Sequence, residues 1–242
     1  TIGDAIKVNE CKQLIIRRMA VVWTDGPKES NGSYGLYPVQ CEQVLLEDNY
    51  VAGASDAGIY VGQSQQVVVR RNKAEFNVAG IEIENTIGAD VYENTAIDNT
   101  GGILVFNLPG LSQEGHTTRV YQNIVEHNNT DNFAPRGTAV ASVPAGSGIV
   151  INSKDHVEIF DNLISDNRTA NIIISSYFSA GYAGDTALPD SFDPYPESIF
   201  IHDNRFNGGG DNPDLLELKA LRLSVFGIGG SLPDLLCDGV YN

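Results

Sequence analysis

The sequence has little positive charge, and this scarcity excludes the usual nucleic-acid-binding classes. Its 242 residues include 15 Lys and Arg against 31 Asp and Glu, so the net charge is −16. Proteins that bind a phosphate backbone present clustered Lys and Arg, whereas basic residues here occur at most in pairs. We therefore expect neither nucleic acid nor an anionic membrane surface as a partner.

Other common signals are missing as well. No stretch of about 18 apolar residues occurs, so the sequence predicts no transmembrane segment. The four histidines match no metal-ligand spacing, and neither a glycine-rich phosphate loop nor a nucleophile elbow is found. No Asp-rich loop has calcium spacing, so we assign no metal ligand and no certain cofactor, although an acidic exported protein is compatible with Ca²⁺.

The sequence does contain a repeat of about 22 residues. Each repeat opens with a small residue and an alternating apolar run, as at Gly58-Ile59-Tyr60-Val61 and Gly80-Ile81-Glu82-Ile83. A second apolar stretch then ends in Asn, and these residues are Asn49, Asn72, Asn94, Asn123, Asn162 and Asn204. A further Asn follows several of them, at Asn77, Asn99, Asn128 and Asn167. A period in the twenties, built from two short strands and turns, indicates a solenoid.

The residue types decide which solenoid the repeat forms. Leucine-rich repeats need a leucine ladder, and Leu is sparse before Leu215. Apolar and variable residues alternate over about four positions, which is strand periodicity, and no helical stretch separates the runs. The sequence therefore predicts an all-β protein, a right-handed single-stranded parallel β-helix of about seven coils. The recurring Asn predicts a ladder of side-chain amides at a turn, because Asn tolerates left-handed backbone.

The repeat ends near residue 212, so we divide the chain into a β-helix domain, 1–212, and a C-terminal segment, 213–242. Asn212-Pro213-Asp214 has the residue types of a helix N-cap and first turn, and a leucine-rich stretch follows. We expect this helix to cap the open end of the coil stack. Thr1 to Asp4 already align with a coil, so we expect further sequence upstream, including an export signal.

Cys11 and Cys41 occupy equivalent positions in coils one and two. Neighbouring strands lie about 4.8 Å apart, which is within the Cα separation of a disulfide. The side chains of parallel in-register neighbours are aligned, however, and this torsion is poor for a bridge. The sequence favours two stacked free thiols and leaves the bridged state open.

Four segments interrupt the regular coils, and they are 24–34, 107–117, 131–147 and 177–197. Loops carried on a rigid frame are where function concentrates. Because most of these loops adjoin the strand that opens each coil, we expect them to rise around one face of the β-helix.

The strand that opens each coil presents two outward columns between its inward apolar residues. One column contains Lys7, Tyr37, Tyr60, Glu82, Leu104 and Val150, and the other contains Asn9, Val39, Gly62, Glu84, Phe106 and Asn152. Aromatic rings beside carboxylates suit a sugar chain, because sugar rings offer apolar faces and hydroxyl edges. We predict a polysaccharide-facing groove over coils one to five, flanked by the loops, and a merely solvated strand surface is the alternative.

The candidate residues of this groove fall into two groups. The catalytic candidates are Tyr60, Glu82, Glu84 and Arg136. The substrate-binding candidates are Tyr34, Tyr37, Asp56, Gln63, Asn85, Phe106 and Asn107. A base such as Tyr or Arg beside a group that neutralises a uronate carboxylate suits elimination or epimerisation. Paired carboxylates suit glycoside hydrolysis instead, and a non-catalytic glycan-binding or surface scaffold protein is the third hypothesis.

Several longer phrases resemble a bacterial family of exported parallel β-helix repeat proteins. The phrases are Gly32 to Cys41, Ala54 to Ser64, Ala79 to Asn85, Gly101 to Gly110, Asp131 to Pro135 and Gly208 to Pro213. Together they span nearly the whole chain. The resemblance implies a pectate-lyase-like fold, location in the periplasm or outside the cell, and an N-terminal part that precedes this sequence. It implies no particular chemistry.

A more distant resemblance is to the mannuronan C-5 epimerases, which modify alginate. Their site motif reads Tyr-Gly-Phe-Asp-Pro-His, and Tyr34-Gly35-Leu36-Tyr37-Pro38-Val39 keeps its Tyr, Gly and Pro. Tyr37 and Val39 stand in place of the Asp and the His. The resemblance implies a groove for an acidic polysaccharide as partner, without that family's full set of catalytic side chains.

Overall fold

In the computed structural model, which describes residues 3–182 and 188–240, seven coils stack into a parallel β-helix with three parallel sheets. The first sheet contains Ile6–Asn9, Tyr34–Val39, Ala57–Gly62, Ala79–Glu84, Gly101–Phe106, Ser147–Asn152, Ala170–Ser175 and Leu235–Cys237. The second contains Lys12–Arg17, Glu42–Glu47, Gln65–Arg70, Ile87–Tyr92, His116–Tyr121, Asp155–Phe160 and Ile199–His202. The third contains Ala20–Val22, Tyr50–Ala52, Lys73–Glu75, Thr95–Ile97, Ile124–Glu126, Leu163–Ser165 and Arg205–Asn207.

The predicted all-β, right-handed parallel β-helix is confirmed, but its coils have three strands instead of two. The third strand is only three residues long, which is too short for apolar alternation to be recognisable in a sequence. Outside the coils, the described residues form two 3₁₀ helices, Ala139–Ser142 and Tyr177–Ser179, and one α-helix, Leu216–Phe226. Parts of the predicted first coil, fourth loop and C-terminal segment, namely 1–2, 183–187 and 241–242, lie outside the described residues.

Equivalent residues of successive coils lie directly beside one another. In the first sheet Ile81 pairs with Ile59 on one side and with Ile103 on the other, and all three are completely buried. Parallel pairing places such neighbours about 4.8 Å apart. The interior is therefore built from aliphatic columns contributed by all three sheets.

The predicted asparagine ladder is present at the turn between the second and third sheets. Asn94 Nδ2 donates to Val69 O over 2.9 Å and to Asn123 Oδ1 over 3.0 Å. Its Oδ1 accepts hydrogen bonds from both the backbone and the side-chain nitrogen of Asn72, each over 3.0 Å. Every polar group of the buried amide is thus satisfied by a neighbouring coil.

The ladder asparagines do not themselves adopt the left-handed backbone, and that detail of the prediction is wrong. The preceding residue does so instead, as at Asp48, Arg71 and Glu93, whose φ angles are 57°, 53° and 54°. These residues are exposed, so the tight turn is made by a side chain that points into solvent. The following Asn is left with its amide directed into the coil.

The outer face of the second sheet carries a different ladder. Tyr92, Tyr121 and Phe160 stack with ring centroids 4.8 Å apart and planes within 8° of parallel, and His202 continues the stack at 5.2 Å. The Arg70 guanidinium donates to the Tyr92 hydroxyl over 2.9 Å at the other end. Rings stacked face to face leave only their edges to solvent, so this column stabilises the coils rather than offering a sugar platform.

The two stacked cysteines are free thiols, which was the favoured state. The Cys11 backbone amide donates to Cys41 Sγ over 3.4 Å. Burial, together with the neighbouring Cys41 thiol, raises the pKa of Cys11 to about 11. Cys41 is buried, Cys11 is partly exposed, and Cys237 at the far end is exposed.

The C-terminal helix is present, but it does not cap the coils as predicted. It spans Leu216–Phe226, and Leu215 at its N-cap supplies no capping side chain. The Asp214 carboxylate accepts a hydrogen bond from the Ala145 amide instead. No residue of this helix is buried, and Leu235–Cys237, which pairs with Ala170–Ser175, is the last strand of the first sheet. None of the described helices is long and apolar enough to cross a membrane.

We predict that Asn94→Ala destabilises the protein by about 2–4 kcal/mol, because the Asn72 amide and the Val69 carbonyl lose their partner inside the coil. Urea denaturation followed by circular dichroism measures the loss. Asn9→Ala, which makes the same change at an exposed strand end, is the control and should change stability by less than about 0.5 kcal/mol. Equal effects of the two variants would contradict a stabilising ladder.

Candidate functional site

The two outward columns of the first sheet exist as predicted, but they are not open to solvent. Glu82 pairs with Tyr60 in one column, and Glu84 pairs with Phe106 in the other. All four residues are at most 7% exposed. The predicted groove is therefore covered over these strands in this structure, and the alternative of a solvated strand surface is wrong.

Loops cover this face of the β-helix. Val140, from the loop 131–147, packs with Leu104 and Phe106 in an apolar cluster that lies outside the coil interior. Phe133 of the same loop adds to this cluster. We call the segment 131–147 the cover loop. Phe106, a predicted substrate-binding residue, is thus part of the packing that holds the cover loop down.

Tyr60 and Glu84 make a short polar contact beneath the loops. The Tyr60 hydroxyl donates to Glu84 Oε1 over 2.7 Å, and the Gln63 amide donates to the same oxygen over 2.9 Å. The tyrosine lies across Gly62, where a Cβ atom would be only 2.2 Å from the Tyr60 oxygen. Glycine at this position therefore lets Tyr60 reach a carboxylate on the next coil.

Asp56 and Glu82 form a second buried pair. Burial, followed by the charge of Glu84, raises the pKa of Asp56 to about 7, and hydrogen bonds from Tyr34 and Glu82 oppose the shift. Burial and the charges of Asp56 and Glu84 raise the pKa of Glu82 well above its usual range, which favours its protonated form near neutral pH. Asp56 Oδ1 and Glu82 Oε2 are buried, and neither atom has a hydrogen-bond partner among the described residues. We call Asp56, Glu82 and Glu84 the carboxyl cluster.

Three tyrosines border the carboxyl cluster. The rings of Tyr34, Tyr37 and Tyr60 lie 4.3 to 4.8 Å apart between centroids, and Tyr34 donates to Asp56 Oδ2 over 3.3 Å. Burial raises the pKa of all three hydroxyls, and negative charges of the carboxyl cluster add to the effect. Near neutral pH these hydroxyls are therefore proton donors, which changes the role of Tyr60 from the predicted base.

Asn85 and Asn107 hold a loop instead of facing a groove. Asn85 exchanges hydrogen bonds with the Leu108 backbone and donates to Gln113 O over 2.7 Å. Asn107 exchanges hydrogen bonds of 3.0 and 2.9 Å with the Gly115 backbone. Both amides are buried and fully used, so these two predicted substrate-binding residues anchor the segment 107–117, which we call the coil-five insertion.

Lys154 is a buried cation that the sequence analysis missed. It is completely buried, and its Nζ donates to Thr86 O over 2.8 Å. Burial lowers the pKa of Lys154 to about 7, while the charge of Glu84 acts in the opposite direction. A signal was present, because Lys154 follows Gly148 at the same interval as Thr86 follows Gly80. Thr86 and Lys154 both lie at the turn between the first and second sheets.

Tyr182 is a second residue near the carboxyl cluster that was not predicted from the sequence. Its hydroxyl donates to Asn152 Oδ1 over 3.2 Å. Burial, followed by the charges of Glu82 and Glu84, raises the pKa of Tyr182, so its hydroxyl is within electrostatic reach of the carboxyl cluster. No pattern could have placed it there, because the path of a long loop is independent of the repeat.

Arg136, the fourth predicted catalytic residue, does not join the carboxyl cluster. It is exposed in the cover loop and makes no hydrogen bond or ion pair with a described residue. Nearby, a cavity of about 380 Å³ opens between the coil-five insertion, the cover loop and Tyr182. This cavity is an opening in the loop layer close to the carboxyl cluster.

The arrangement can hold, donate and accept protons in a site from which water is largely excluded. Two carboxyl groups have raised pKa values, a third accepts a hydrogen bond from a tyrosine, and several hydroxyls surround them. Neutral O–H groups in such a site stabilise negative charge that develops on a bound molecule. In the part of the chain that the structure describes, no three His, Cys, Asp or Glu side chains are arranged to hold a metal ion.

Comparison with protein families gives a match to one described as right handed beta helix region, over residues 4–186. A search of the curated proteins found no match to the sequence.

The solved structures similar to this chain include mannuronan epimerases. A mutant of the periplasmic alginate epimerase AlgG has 15% identity and a TM-score of 0.61, over 84% of this chain and 47% of that one. The unmutated AlgG has 15% identity and a TM-score of 0.58, over 85% and 47%. The Azotobacter vinelandii mannuronan C-5 epimerase AlgE4 A-module has 17% identity and a TM-score of 0.55, over 83% and 54%. The chain spans about half the length of these proteins. The distant likeness noted from the sequence is thus confirmed for the fold.

We predict that Asp56→Asn stabilises the protein near pH 7.5 and has almost no effect near pH 4. The folded-state pKa of Asp56, about 7, exceeds the usual 3.8, so the folded protein binds the extra proton between these values. The stability that Asp56 contributes is complete below about pH 4 and is lost as the pH rises through 7. Asn imitates the protonated group, so the gain should reach about 1–4 kcal/mol.

Urea denaturation at a series of pH values measures this gain. Asp161→Asn, at an exposed turn, is the control and should change stability equally at both pH values. A loss of stability in Asp56→Asn near pH 7.5 would show that the cluster is ionised.

Proposed function

The chain belongs to the right-handed β-helix family, and from that premise we propose that it acts on an acidic polysaccharide, by epimerisation or elimination at a uronic acid residue. The observation that carries the proposal is the carboxyl cluster with its surrounding tyrosines, on the outward face of the first sheet. Mannuronan epimerases share this fold.

Both reactions begin with the loss of the C5 proton, and this step needs a base and a stabiliser of negative charge. Asp56 is suited to be the base, because a pKa of about 7 keeps it partly ionised near neutral pH. The C5–H bond breaks, the proton passes to Asp56, and the electron pair moves into the uronate carboxyl group. Glu82, which is protonated, and the tyrosine hydroxyls then donate hydrogen bonds to that charge.

The fate of the intermediate decides between the two reactions. A proton delivered to the opposite face of C5 yields the epimer, and Tyr60 is a proton donor in the cluster. Breaking the C4–O bond instead expels the next sugar and leaves a double bond. Either route requires the cover loop to shift, because Glu82 is only 2% exposed in this structure.

Charge also shapes the proposal. A net charge of −16 repels a polyuronate at low ionic strength. We therefore include Ca²⁺ in the proposal, as an ion brought between the carboxylates of substrate and protein and not as a resident ligand. We also propose that the protein is exported, like the periplasmic AlgG whose fold it shares.

A non-catalytic glycan-binding or scaffold function is the second candidate. The apolar packing of Val140 over Leu104 and Phe106 favours it, because a site closed in this way would serve stability alone. Glycoside hydrolysis stays a prediction from the sequence.

We predict that the protein modifies polymannuronate, polyguluronate or polygalacturonate in D₂O in one of two ways. Epimerisation replaces the C5 proton with deuterium, because C5 is reprotonated from solvent, whereas elimination leaves a C4–C5 double bond and no C5 hydrogen. Proton NMR of the polymer measures exchange and epimer content, and ultraviolet absorbance detects unsaturated products. Assays run with added Ca²⁺ and with a chelator. Binding with neither exchange nor unsaturated product on any of these polymers would favour the scaffold function, and absence of binding, exchange and unsaturated product would exclude the proposal.

We predict that Asp56→Asn and Tyr60→Phe each lower the exchange rate at least about 100-fold while the fold is retained. Tyr121→Phe, which removes a hydroxyl from the outer aromatic ladder, is the matched control and should keep the full rate. Circular dichroism confirms folding of all three. Equal rates for Tyr60→Phe and Tyr121→Phe would remove Tyr60 from the mechanism.

A further inference from the structure

A second cleft lies beside the carboxyl cluster, at the turn between the first and second sheets, and Gln63 contacts both. Its volume is about 480 Å³, within the range of small-molecule sites, which runs from about 300 to 1,000 Å³. Coils one to three form its floor, and Ser112 and Gln113 of the coil-five insertion form a wall. The insertion lengthens coil five and folds back over the earlier coils, so the cleft exists because of it.

Glutamine is concentrated in this cleft. The chain has eight glutamines, and the four that line the cleft are Gln40, Gln63, Gln65 and Gln113. An amide carries donors and an acceptor side by side, which matches the neighbouring hydroxyl groups of a sugar ring. We call this feature the glutamine cleft.

Three of these amides are held in place by the protein itself. Gln113 Nε2 donates to Ser64 O over 3.1 Å and to Asn85 O over 2.9 Å. Gln65 donates to Gln113 Oε1 over 3.2 Å, and Gln63 donates to Tyr60 and Glu84. Side chains that are already ordered lose little entropy when a ligand binds.

Hydrogen-bonding capacity nevertheless remains available for a ligand. The oxygens of Gln63 and Gln65 accept no hydrogen bond from a described residue, and the Gln40 side chain makes none at all with the described part of the chain. The Ser112 hydroxyl is likewise unused by described residues. Acceptors and donors thus line one concave surface.

The charge of the cleft excludes a carboxylate ligand. Lys12 is paired with Glu42 over 2.8 Å, and Glu10 adds a further negative charge without a basic partner among the described residues. A uronate would be repelled, whereas a neutral hydroxyl-bearing ring would not be. The cleft therefore differs in ligand chemistry from the proposed uronate site.

We propose that the glutamine cleft binds a neutral hexose unit of a glycan, through hydrogen bonds from its amides to ring hydroxyls. Gln63 joins this cleft to the pair formed by Tyr60 and Glu84, so the two sites share one side chain. The proposal does not depend on uronate chemistry, because neutral-sugar binding would stand if no uronate were modified.

The alkylation rate of Cys11 reports whether a ligand occupies the glutamine cleft. Its thiol lines the cleft and is partly exposed, whereas Cys237 is exposed elsewhere and Cys41 is buried. Alkylation by iodoacetamide near pH 9, followed by peptide mass spectrometry, gives the rate at each thiol. Maltohexaose, cellohexaose and mannohexaose are the neutral probes, and hexamannuronate is the acidic probe.

We predict that at least one neutral hexasaccharide slows alkylation of Cys11 about threefold or more and leaves the Cys237 rate unchanged. Gln40→Ala should raise the sugar concentration needed for half-maximal protection at least about fivefold. Gln122→Ala is the matched control, because Gln122 is also an exposed glutamine with a φ of 54°, equal to that of Gln40, but lies outside the cleft.

Four results would overturn the proposal, and the first three concern the neutral probes and the variants. They are no protection by any neutral probe, equal slowing of Cys11 and Cys237, and equal effects of Gln40→Ala and Gln122→Ala. Protection by hexamannuronate alone would also overturn it, since the ligand would then be acidic. Deuterium exchange on uronans tests the proposed function, and protection of Cys11 tests the glutamine cleft. A negative result in one experiment therefore leaves the other proposal standing.

Discussion

In-register stacking of coils at a single strand spacing is the constraint on which the rest of the molecule depends. Each residue has as neighbours the residues one period before and after it, as Ile81 has Ile59 and Ile103. A polar group turned inward must therefore find its partner in the adjacent coil. The asparagine ladder meets this requirement with one side chain per coil, because each amide both donates and accepts along the axis. Regular columns inside leave the outward face available for irregular loops.

Burial of three carboxyl groups is costly unless they are neutral or paired. Here the cost is reduced in two ways. The raised pKa values of Glu82 and Asp56 favour their neutral forms, and Glu84 accepts hydrogen bonds from Tyr60 and Gln63. A fold could have placed apolar residues in this column, as it does at Leu104 one coil further on. Retention of titratable groups under a loop layer is typical of sites where perturbed acidity is used.

The repeat made most of the fold predictable, because a period of about 22 residues fixes which positions face inward and which coincide between coils. The pairing of Glu82 with Tyr60 followed from that register. What could not be predicted was the covering of this face, since the path of the 131–147 loop has no periodic signal. Tyr182 could not be predicted for the same reason, because it lies on a loop without a periodic signal. The position of Lys154 was predictable, because it is equivalent to that of Thr86 in the repeat. The exposed C-terminal helix shows that leucine content alone does not reveal which surface, if any, a helix covers.

The coil-five insertion is fastened to the coils by a few side chains at its base, Asn85, Asn107 and Gln113, while Leu111 at its tip is exposed. Mutation of the tip would leave every backbone ladder intact. Descendants of such a gene could thus explore new recognition properties by exchanging a short peptide between conserved anchors, at small risk to folding. This evolvability arises because the regular coils provide the stability and the inserted loops provide the recognition surface.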